Sequence, residues 1–461
     1  MAHKYHAHSG IQITHGSLWK NMFFFSVPLM LSQLLQVLFN MADVAVVGKF
    51  SSAEALGAVG STTILVSLFT GFLIGIGSAV NVMVAQHLGA KDKARTASSI
   101  RTSFVICLAA GCIITALCLL SARFMLELLG TKDDLIEGAV LYFRIYALGM
   151  PALSVFNFGN GVLSANGDTK RPLVYLMIAG ILNVLFNLFF VIVCGMAEDG
   201  VALASIITQY VSALLIVIHM GRQNDDCAFR LRDLKYGTDK SELKHILGLG
   251  IPAGFQNAIF AIANLFIQSA VNSFDSVMVE GNSAAANADA IIYNIMAAFY
   301  TACSTFMGQN LGAGKQNRVL KSYFVGVTYS FFAGAVLGGA LFLFGREFLS
   351  LFANDEAVIQ AGLQRTQIMS FSYAVSAFMD CTIAACRGIG KSLAPTIIVI
   401  IGSCVFRVVW IYTVFAYFHT IPSLYLLYIF SWTITAVAEI VCFVINYKKL
   451  TAKQNAAVTE L

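Results

Sequence analysis

Long apolar segments separated by short polar connections recur along the whole chain at a spacing of roughly 35 residues. Each segment has at least the length of about 20 residues that an α-helix needs to cross the hydrocarbon core of a bilayer. Twelve segments meet this criterion: residues 22–47, 54–84, 98–121, 137–164, 172–194, 199–220, 245–273, 285–308, 322–344, 357–386, 394–418 and 423–447. The pattern therefore predicts an all-α membrane protein with twelve transmembrane helices.

The composition agrees with this prediction. Hydrophobic residues make up 58% of the 461 residues and charged residues only 11%, against roughly 25% charged residues in a soluble domain. The net charge of +5 does not indicate nucleic-acid binding in such a chain, and membrane lipids are the expected surroundings. Nine of the ten cysteines lie in or beside apolar segments without CxxC spacing, so we interpret them as small hydrophobic residues and predict no metal site.

Lysine and arginine are unequally distributed between the two sides of the predicted membrane domain. With the N-terminus inside, the even-numbered connections, both tails and the first turn of the third segment, which contains Arg101, hold 22 of these residues, whereas the outer connections hold four. Cytoplasmic loops of membrane proteins carry the excess of positive charge. We therefore expect a multi-pass protein of the inner (plasma) membrane with both termini in the cytoplasm.

The two halves of the chain resemble each other at a nearly constant offset. The segment VAQHLGAKDKAR resembles MGQNLGAGKQNR, and this match pairs Gln86 with Gln309, 223 residues apart. Pro28 pairs with Pro252 at an offset of 224 residues. Six helices per copy give both copies the same orientation, so we predict two six-helix lobes related by a pseudo-two-fold axis, with a cavity between them.

The repeat predicts the domain organisation. The first lobe covers residues 1–220 and the second lobe covers residues 245–447. Residues 221–244 form the longest charged stretch and are predicted to be a cytoplasmic linker that lets the lobes rock. Residues 448–461 are predicted to be a cytoplasmic tail.

Pro28 and Pro252 each lie near the start of the first helix of a lobe. Because proline lacks the amide hydrogen of a helical hydrogen bond, both positions are candidate hinges. The alternative is a proline accommodated in the first turn of its helix.

Carboxylates are costly inside a membrane and mark candidate functional sites. In the first lobe, Asp43 follows Asn40 by three residues, so both side chains lie near one face of the first helix. Asn183 and Asn187 lie one turn apart on the fifth helix. We predict that these four residues couple transport to an ion. The alternatives are an acid that reaches water at a helix end and an asparagine pair that only joins helices.

The second lobe contains Asp289, with Tyr293 one turn later, and Asp380 on the tenth helix. Polar residues of the seventh helix form a similar stripe: Asn257, Asn264 and Gln268. These residues predict a substrate site or a second coupling site. Two acids without a lysine in the spans of this lobe are expected to attract cations, and Arg407 is a candidate ion-pair partner for one of them.

Enzymatic motifs are missing from the sequence. It contains no GxSxG or HExxH motif, and ACRGIGKS at residues 385–392 has Ala385 where a P-loop has its first glycine. We therefore expect neither an enzyme nor an ATP-driven transporter. No cofactor is expected apart from H⁺ or Na⁺ as coupling ion, which a buried carboxylate can exchange as its surroundings alternate between wet and dry.

Eight segments within residues 18–447 carry a family resemblance: FNMADVAVVG, QHLGAKDKAR, SANGDTKRP, GVALASIITQ, IPAGFQN, VNSFDSVMVEGNSAA, GQNLGAGK and ACRGIGKS. With these segments the chain resembles the multidrug and toxic compound extrusion (MATE) family. The resemblance implies a V-shaped pair of lobes that exports small cationic or amphipathic organic compounds in exchange for protons or sodium.

The same resemblance implies roles for single residues. Asp43 matches the coupling acid in the first helix of the family, and Asn183 matches its partner in the fifth helix. Asp289 matches acids of the second lobe, whereas Asp380 lies where relatives vary. Many relatives have a second acid four residues after the fifth-helix asparagine, where this chain has Asn187. The sequence therefore leaves the choice between H⁺ and Na⁺ open.

Two other functions are compatible with the sequence. One is a lipid-linked oligosaccharide flippase of the same superfamily, which is expected to have a more basic cavity. The other is a non-transporting membrane scaffold. In the leading interpretation the chain acts as a monomer on small organic molecules.

Overall fold

The computed structural model describes residues 10–459, with side chains described as far as residue 452. Within this range the chain forms helices and turns and no strand. The membrane-spanning helices are α1 (Leu18–Phe50), α2 (Ala53–Gly89), α3 (Lys93–Leu128), α4 (Ile136–Ala147 with Met150–Ala165), α5 (Lys170–Val193), α6 (Glu198–Arg222), α7 (Lys240–Val271), α8 (Ser276–Gly312), α9 (Gln316–Leu343), α10 (Glu356–Gly388), α11 (Leu393–Phe418) and α12 (Ile421–Ala452). Both chain termini, which are predicted to be cytoplasmic, belong to residues outside the described range.

The fourth span has a bend that the sequence does not predict. The apolar pattern predicts one helix at residues 137–164, whereas the two segments of α4 meet at an angle of 43°. Pro151 follows the break and lacks the amide hydrogen that would bond to the Ala147 carbonyl. That carbonyl instead accepts a hydrogen bond from the Thr115 hydroxyl of α3 at 2.8 Å. Counted as one bent span, α4 completes twelve spans in the described part of the chain, which confirms the predicted number.

Several helices extend beyond the apolar segments that predict them. The eighth predicted span begins at residue 285, but α8 begins at Ser276. The Asp275 side chain accepts a hydrogen bond from the Met278 amide at 2.9 Å and caps the helix. The first turns of α8 contain polar residues, so a criterion based on apolar residues places the start of the helix too late.

Both candidate hinge prolines lie inside helices. Pro28 is an interior residue of α1, and Pro252 is an interior residue of α7. This placement excludes the alternative of a proline in the first turn. The hinge role itself stays a prediction.

The first helix of each lobe packs on the second helix of the other lobe. α1 packs on α8, and α7 packs on α2. Phe25 of α1 contacts Phe306 of α8 edge to face, with ring centroids 5.4 Å apart. At the other contact, a Cβ on Gly75 of α2 would lie 2.4 Å from the backbone nitrogen of Gly254 in α7. This reciprocal exchange is the pseudo-two-fold symmetry predicted from the repeat.

The two lobes also meet through a matched pair of hydrogen bonds at one end of the molecule. Gln86 Nε2 of α2 donates to the Gly388 carbonyl of α10 at 2.9 Å. Its repeat partner, Gln309 of α8, donates to the Ala165 carbonyl of α4 at 3.1 Å. Residues 165 and 388 are again 223 positions apart, so the repeat relates the two bonds. We refer to the region defined by Gln86, Gln309, Ala165 and Gly388 as the closed end.

The described segments nearest to both chain termini lie at the closed end. The Ile11 amide donates to the Gly167 carbonyl at 3.0 Å. The Tyr447 hydroxyl donates to the Gln316 carbonyl at 3.1 Å. Both ends of the described chain therefore lie on one side of the molecule, as an even number of spans requires.

The predicted linker packs tightly on the first lobe. Phe229 is 1% exposed, and its ring centroid lies 4.8 Å from that of Phe104 and 5.6 Å from that of Phe158. Cys227 is fully buried in the same cluster. A short 3₁₀ helix at Leu231–Tyr236 then leads towards α7. The linker is thus anchored by an aromatic side chain. The charged composition of residues 221–244 does not predict this anchor.

Cys227 should react slowly with N-ethylmaleimide in the folded protein. Burial raises the pKa of its thiol well above the ordinary value, and the carboxylates of Asp225 and Asp226 add to this effect. A raised pKa leaves less thiolate at neutral pH, and the thiolate is the reacting form. Mass spectrometry of the Cys227 peptide during a labelling time course measures the rate.

Phe229→Ala removes the aromatic anchor and should raise this rate at least about tenfold through local opening of the linker. The exposed Cys194 in the same sample is the internal control. A Cys227 that reacts as fast as Cys194 in the unsubstituted protein would contradict a docked linker.

Candidate functional site

Asp43 lies in a small polar cluster between α1, α5 and α6. Its Oδ1 accepts a hydrogen bond from Asn187 Nδ2 at 2.5 Å, and Ser205 hydrogen-bonds to the same carboxylate. Asn187 also donates to Asn183 Oδ1 at 3.2 Å. Asn183 in turn donates to Ser205 Oγ at 3.4 Å. The structure therefore brings three of the four predicted first-lobe residues together.

Asn40 does not join this cluster. It is exposed, whereas Asp43 is half-buried, and no hydrogen bond between the two side chains is found among the described residues. A spacing of three residues turns the second side chain by about 60° around the helix axis, enough to place one in the interior and the other outside. The predicted coupling role of Asn40 has no supporting contact in this structure.

Three further residues belong to the surroundings of Asp43 but escape the sequence analysis: Ser205, Tyr142 and Tyr146. Both tyrosines lie on α4 and interact electrostatically with Asp43. Ser205 stands in the segment GVALASIITQ. A hydroxyl in an apolar helix is only a weak sequence signal, because serine often bonds to its own helix.

A cavity of about 610 Å³ lies between the lobes. Its wall is formed by α1 and α2 of the first lobe and by α7, α8, α10, α11 and α12 of the second lobe. All six polar residues predicted for the second lobe line it: Asn257, Asn264, Gln268, Asp289, Tyr293 and Asp380. Its size lies within the range of about 300–1,000 Å³ of pockets for drug-sized ligands. Asp43 is not part of this wall, so the structure separates the two candidate sites.

The polar stripe of α7 has two different environments. Asn257 donates to the Gly71 carbonyl of α2 at 3.0 Å and so joins the two lobes. Asn264 and Gln268 are exposed, and Gln268 donates to Asn272 Oδ1 at 2.8 Å. Asn264 and Gln268 are thus accessible parts of the cavity wall, whereas Asn257 holds the interface between the lobes.

Asp289 is neutralised by a neighbouring arginine. Arg365 of α10 forms an ion pair with one carboxylate oxygen, and the Tyr373 hydroxyl donates to the other. Arg365 also donates to the carbonyl and the side-chain oxygen of Asn282, at 2.9 and 2.7 Å. Arg407, the partner considered from the sequence, forms no ion pair in the described part of the chain. Aromatic rings surround Arg407 instead.

The charge of the cavity differs from the sequence expectation. Three arginines line it beside the two acids: Arg365, Arg387 and Arg407. Three cations against two acids give one net positive charge, so the expected attraction of cations, which took only Arg407 into account besides the acids, is not supported. Arg387 is predicted in a cytoplasmic connection, but α10 continues to Gly388 and places Arg387 in the cavity wall.

Glu439 of α12 is a further buried acid that the sequence analysis missed. Its side chain is fully buried, and within the described residues both carboxylate oxygens lack a hydrogen-bond partner. Glu439 interacts electrostatically with Arg387 and lies beside two thiols, with one ligand atom each of Cys386, Glu439 and Cys442 within 4.8 Å of one another. Three ligands do not complete a tetrahedral metal shell. As an acid within the predicted span 423–447, Glu439 could have been found by the criterion that identified Asp43.

The protein has twelve membrane spans in two lobes, which are related by pseudo-two-fold symmetry and enclose a polar cavity. This architecture defines a multi-pass membrane protein built like a transporter. Two segments, residues 28–189 and 252–413, each match the MatE family, and their starts lie 224 residues apart. The chain belongs to this family of multidrug and toxic compound transporters. The resemblance stated from the sequence motifs is thereby confirmed, as are the fold class and the internal repeat.

Curated relatives are similar over most of their length. The probable multidrug resistance protein YpnP of Bacillus subtilis is 29% identical over 361 residues, which is 78% of this chain and 80% of the relative. YoeA of the same organism, also named a probable multidrug resistance protein, is 25% identical over 389 residues, 83% and 84% of the two chains. An FAD transporter of Shewanella oneidensis is 22% identical over 344 residues, 73% and 74% of the two chains.

Solved structures have the same fold. A MOP superfamily transporter from Pyrococcus furiosus, described by a binding pocket of reverse polarity, superposes with a TM-score of 0.88 at 21% identity, covering 96% of this chain and 99% of that chain. A MATE structure in the bent conformation has a TM-score of 0.87 at 22% identity with the same coverage. At these identities the likeness concerns the fold alone.

Proposed function

We propose that this protein is a secondary active transporter that exports small amphipathic organic compounds in exchange for H⁺ or Na⁺. The observation that carries this proposal is the cavity of about 610 Å³ between two lobes that touch reciprocally at one end. Alternating access requires a site between two halves whose contacts can be exchanged. The polar contacts of Gln86 and Gln309 are of a kind that can break and reform without exposing a large apolar surface.

The proposed coupling site is Asp43. Binding of H⁺ or Na⁺ changes the charge of this carboxylate by one unit, and therefore changes the free energy of keeping it inside the membrane. The oxygens of Asn183 and Ser205 lie close by and suit either ion. Because Asp43 lies outside the cavity wall, ion and substrate are proposed to bind at separate sites and to be coupled through the relative position of the lobes.

The proposed location is the inner (plasma) membrane, with a monomer as the transporting unit. The excess of lysine and arginine in the connections of the closed end supports a cytoplasmic orientation of that end. In this orientation both chain termini are cytoplasmic, and the lobes meet at the cytoplasmic end of the molecule.

A lipid-linked oligosaccharide flippase is the second candidate function. The three arginines of the cavity favour it, because a basic cavity suits a phosphate-bearing lipid. Membership of a transporter family gives the scaffold interpretation no support.

Purified protein in liposomes tests the proposal. A pH gradient and a sodium gradient are imposed separately, and the movement of rhodamine 6G (a cation) and 5-carboxyfluorescein (an anion) is followed by fluorescence. We expect gradient-dependent movement of at least one dye above the rate in protein-free liposomes. If neither gradient moves either dye, and labelled phosphatidylglycerol crosses the bilayer without a gradient, the flippase replaces the antiporter.

A further inference from the structure

The three arginines of the cavity are unequally neutralised. Arg365 has an ion-pair partner in Asp289 and two hydrogen bonds to Asn282. Arg387 and Arg407 form no ion pair within the part of the chain that the structure describes. A guanidinium offers five N–H donors, so these two side chains have donors to spare for a ligand.

Arg387 has one strong hydrogen bond. Its Nη2 donates to Gln256 Oε1 at 2.7 Å. Its Nε is buried and has no partner among the described residues. The nearby Glu439 attracts the guanidinium electrostatically but does not line the cavity. Arg387 therefore lines the cavity with a guanidinium group that has at least one donor unsatisfied.

Arg407 lies in an aromatic cage. Its guanidinium carbon lies 4.7 Å from the ring centroid of Tyr428, 5.6 Å from that of Phe260 and 5.8 Å from that of Trp432. The side chain is only 2% exposed, and its Nε donates to Ser431 Oγ at 3.4 Å. The faces of aromatic rings offset only part of the free energy that it costs to bury the Arg407 charge. A bound anion would reduce this cost further.

The backbone around Arg407 is also unusual. The helical segment Phe406–Trp410 stands between two π-helical segments, Ile400–Val405 and Ile411–Phe415. Such interruptions of an α-helix occur frequently at functional sites, because they re-aim a side chain at the expense of regular hydrogen bonds. In α11 they flank the one arginine that this helix contributes to the cavity.

Asp380 is the remaining acid of the cavity. It interacts electrostatically with both Arg387 and Arg407, without forming an ion pair to either in the described structure. Among the groups that line the cavity, these two guanidinium groups and one carboxylate leave one positive charge, since Glu439 lies behind Arg387 and outside the wall. The ligand that complements this charge is an anion.

We propose that Arg387 and Arg407 bind the carboxylate or phosphate group of an amphipathic organic anion, whose apolar part packs against the aromatic rings of the cavity. The inference rests on the proposed transport function and specifies its substrate class. Guanidinium groups bind planar carboxylate and phosphate oxygens through paired hydrogen bonds, which gives both charge and geometry a role in selection. The cavity volume fits a compound of drug size.

Equilibrium binding to the purified protein in detergent tests this inference without any gradient. The probes are 5-carboxyfluorescein and rhodamine 6G, which share a xanthene core and differ in the sign of their charge. Fluorescence anisotropy measures the dissociation constants. We expect tighter binding of the anion, whereas tighter binding of the cation would overturn the proposal.

Substitutions of opposite expected effect separate binding from misfolding. Arg407→Gln and Arg387→Gln should each weaken the binding of 5-carboxyfluorescein by about tenfold or more, because each removes a charged donor to the anion. Asp380→Asn should strengthen it several-fold, a gain that a damaged fold cannot produce. Arg346→Gln is the matched control, since Arg346 is exposed and pairs with Glu356 outside the cavity. Unchanged affinity in both arginine variants would refute the assignment.

The transport assay distinguishes failure of this inference from failure of the proposed function. Gradient-driven movement of rhodamine 6G without movement of 5-carboxyfluorescein supports the transporter and overturns the anionic substrate. Binding of the anion as expected, without movement of either dye under any gradient, supports the site and overturns the transporter. Gradient-independent crossing of labelled phosphatidylglycerol, with no binding of 5-carboxyfluorescein, would identify a lipid phosphate as ligand and overturn a soluble substrate.

Discussion

Asp43→Asn is expected to reduce ion-driven accumulation of substrate by roughly 5- to 150-fold while leaving the fold intact. The amide keeps an oxygen that can accept the hydrogen bond from Asn187, but it cannot exchange a proton or carry the charge that attracts a cation. Coupling free energies between two sites are typically about 1–3 kcal/mol, so accumulation should fall by roughly 5- to 150-fold. Dye accumulation in proteoliposomes under an imposed gradient, normalised to the amount of protein, measures the effect.

Two controls make this result specific. Asp134→Asn changes an exposed acid in the connection between α3 and α4 and should leave accumulation unchanged. Gradient-free exchange of dye should persist in Asp43→Asn, because Asp43 does not line the cavity. Full accumulation by a well-folded Asp43→Asn protein would show that coupling resides elsewhere, and Glu439 and Asp380 would be the next acids to substitute.

Gly89→Ala and Gly312→Ala are expected to separate the lobes at the closed end. A Cβ on Gly89 would lie 1.9 Å from the Gln309 carbonyl oxygen, and a Cβ on Gly312 would lie 1.9 Å from the Gln86 carbonyl oxygen. Both obstacles are backbone atoms, which cannot rotate away as a flexible side chain can. Overpacking costs about 1–3 kcal/mol, so each substitution should shift the population of the closed arrangement by roughly 5- to 150-fold.

Spin labels at positions 90 and 313, beside the two glycines, measure the opening as a longer distance between the lobes. Gly60→Ala is the matched control, because Gly60 lies on the same helix as Gly89 and its Cβ would have no neighbouring atom within 4 Å. Identical distance distributions in the unsubstituted protein and in both closed-end variants would contradict a tight backbone contact at this position.

Residue spacing within one helix predicts part of the polar cluster around Asp43. Asn183 and Asn187 were placed on one helical face by their separation of four residues, and both contribute to the polar cluster that holds Asp43. Asn40 lies outside the cluster although its spacing to Asp43 also predicts a shared face, because one helical face is wide enough to include an inward and an outward direction. Ser205 completes the cluster from a third helix, a relation that sequence spacing does not encode.

The helices, their number, the repeat and the family can all be predicted from the amino-acid sequence alone. These properties follow from local causes: a bilayer sets the length of an apolar segment, and a duplicated gene leaves matching residues at a constant offset. The bend in α4 and the docking of Phe229 depend on contacts between single residues and partners on other helices, which the order of residues along the chain does not specify.

The charge of the cavity likewise depends on how the helices pack. Arg365, Arg387 and Arg407 are separated from Asp289 by long stretches of chain, and a sequence does not state which of them faces which acid. Packing of α10 against α8 places Arg365 on Asp289, while α11 holds Arg407 among aromatic rings. Electrostatic interaction depends on distance in space and not on separation along the chain. The net charge of the cavity therefore follows only from the packing of the helices.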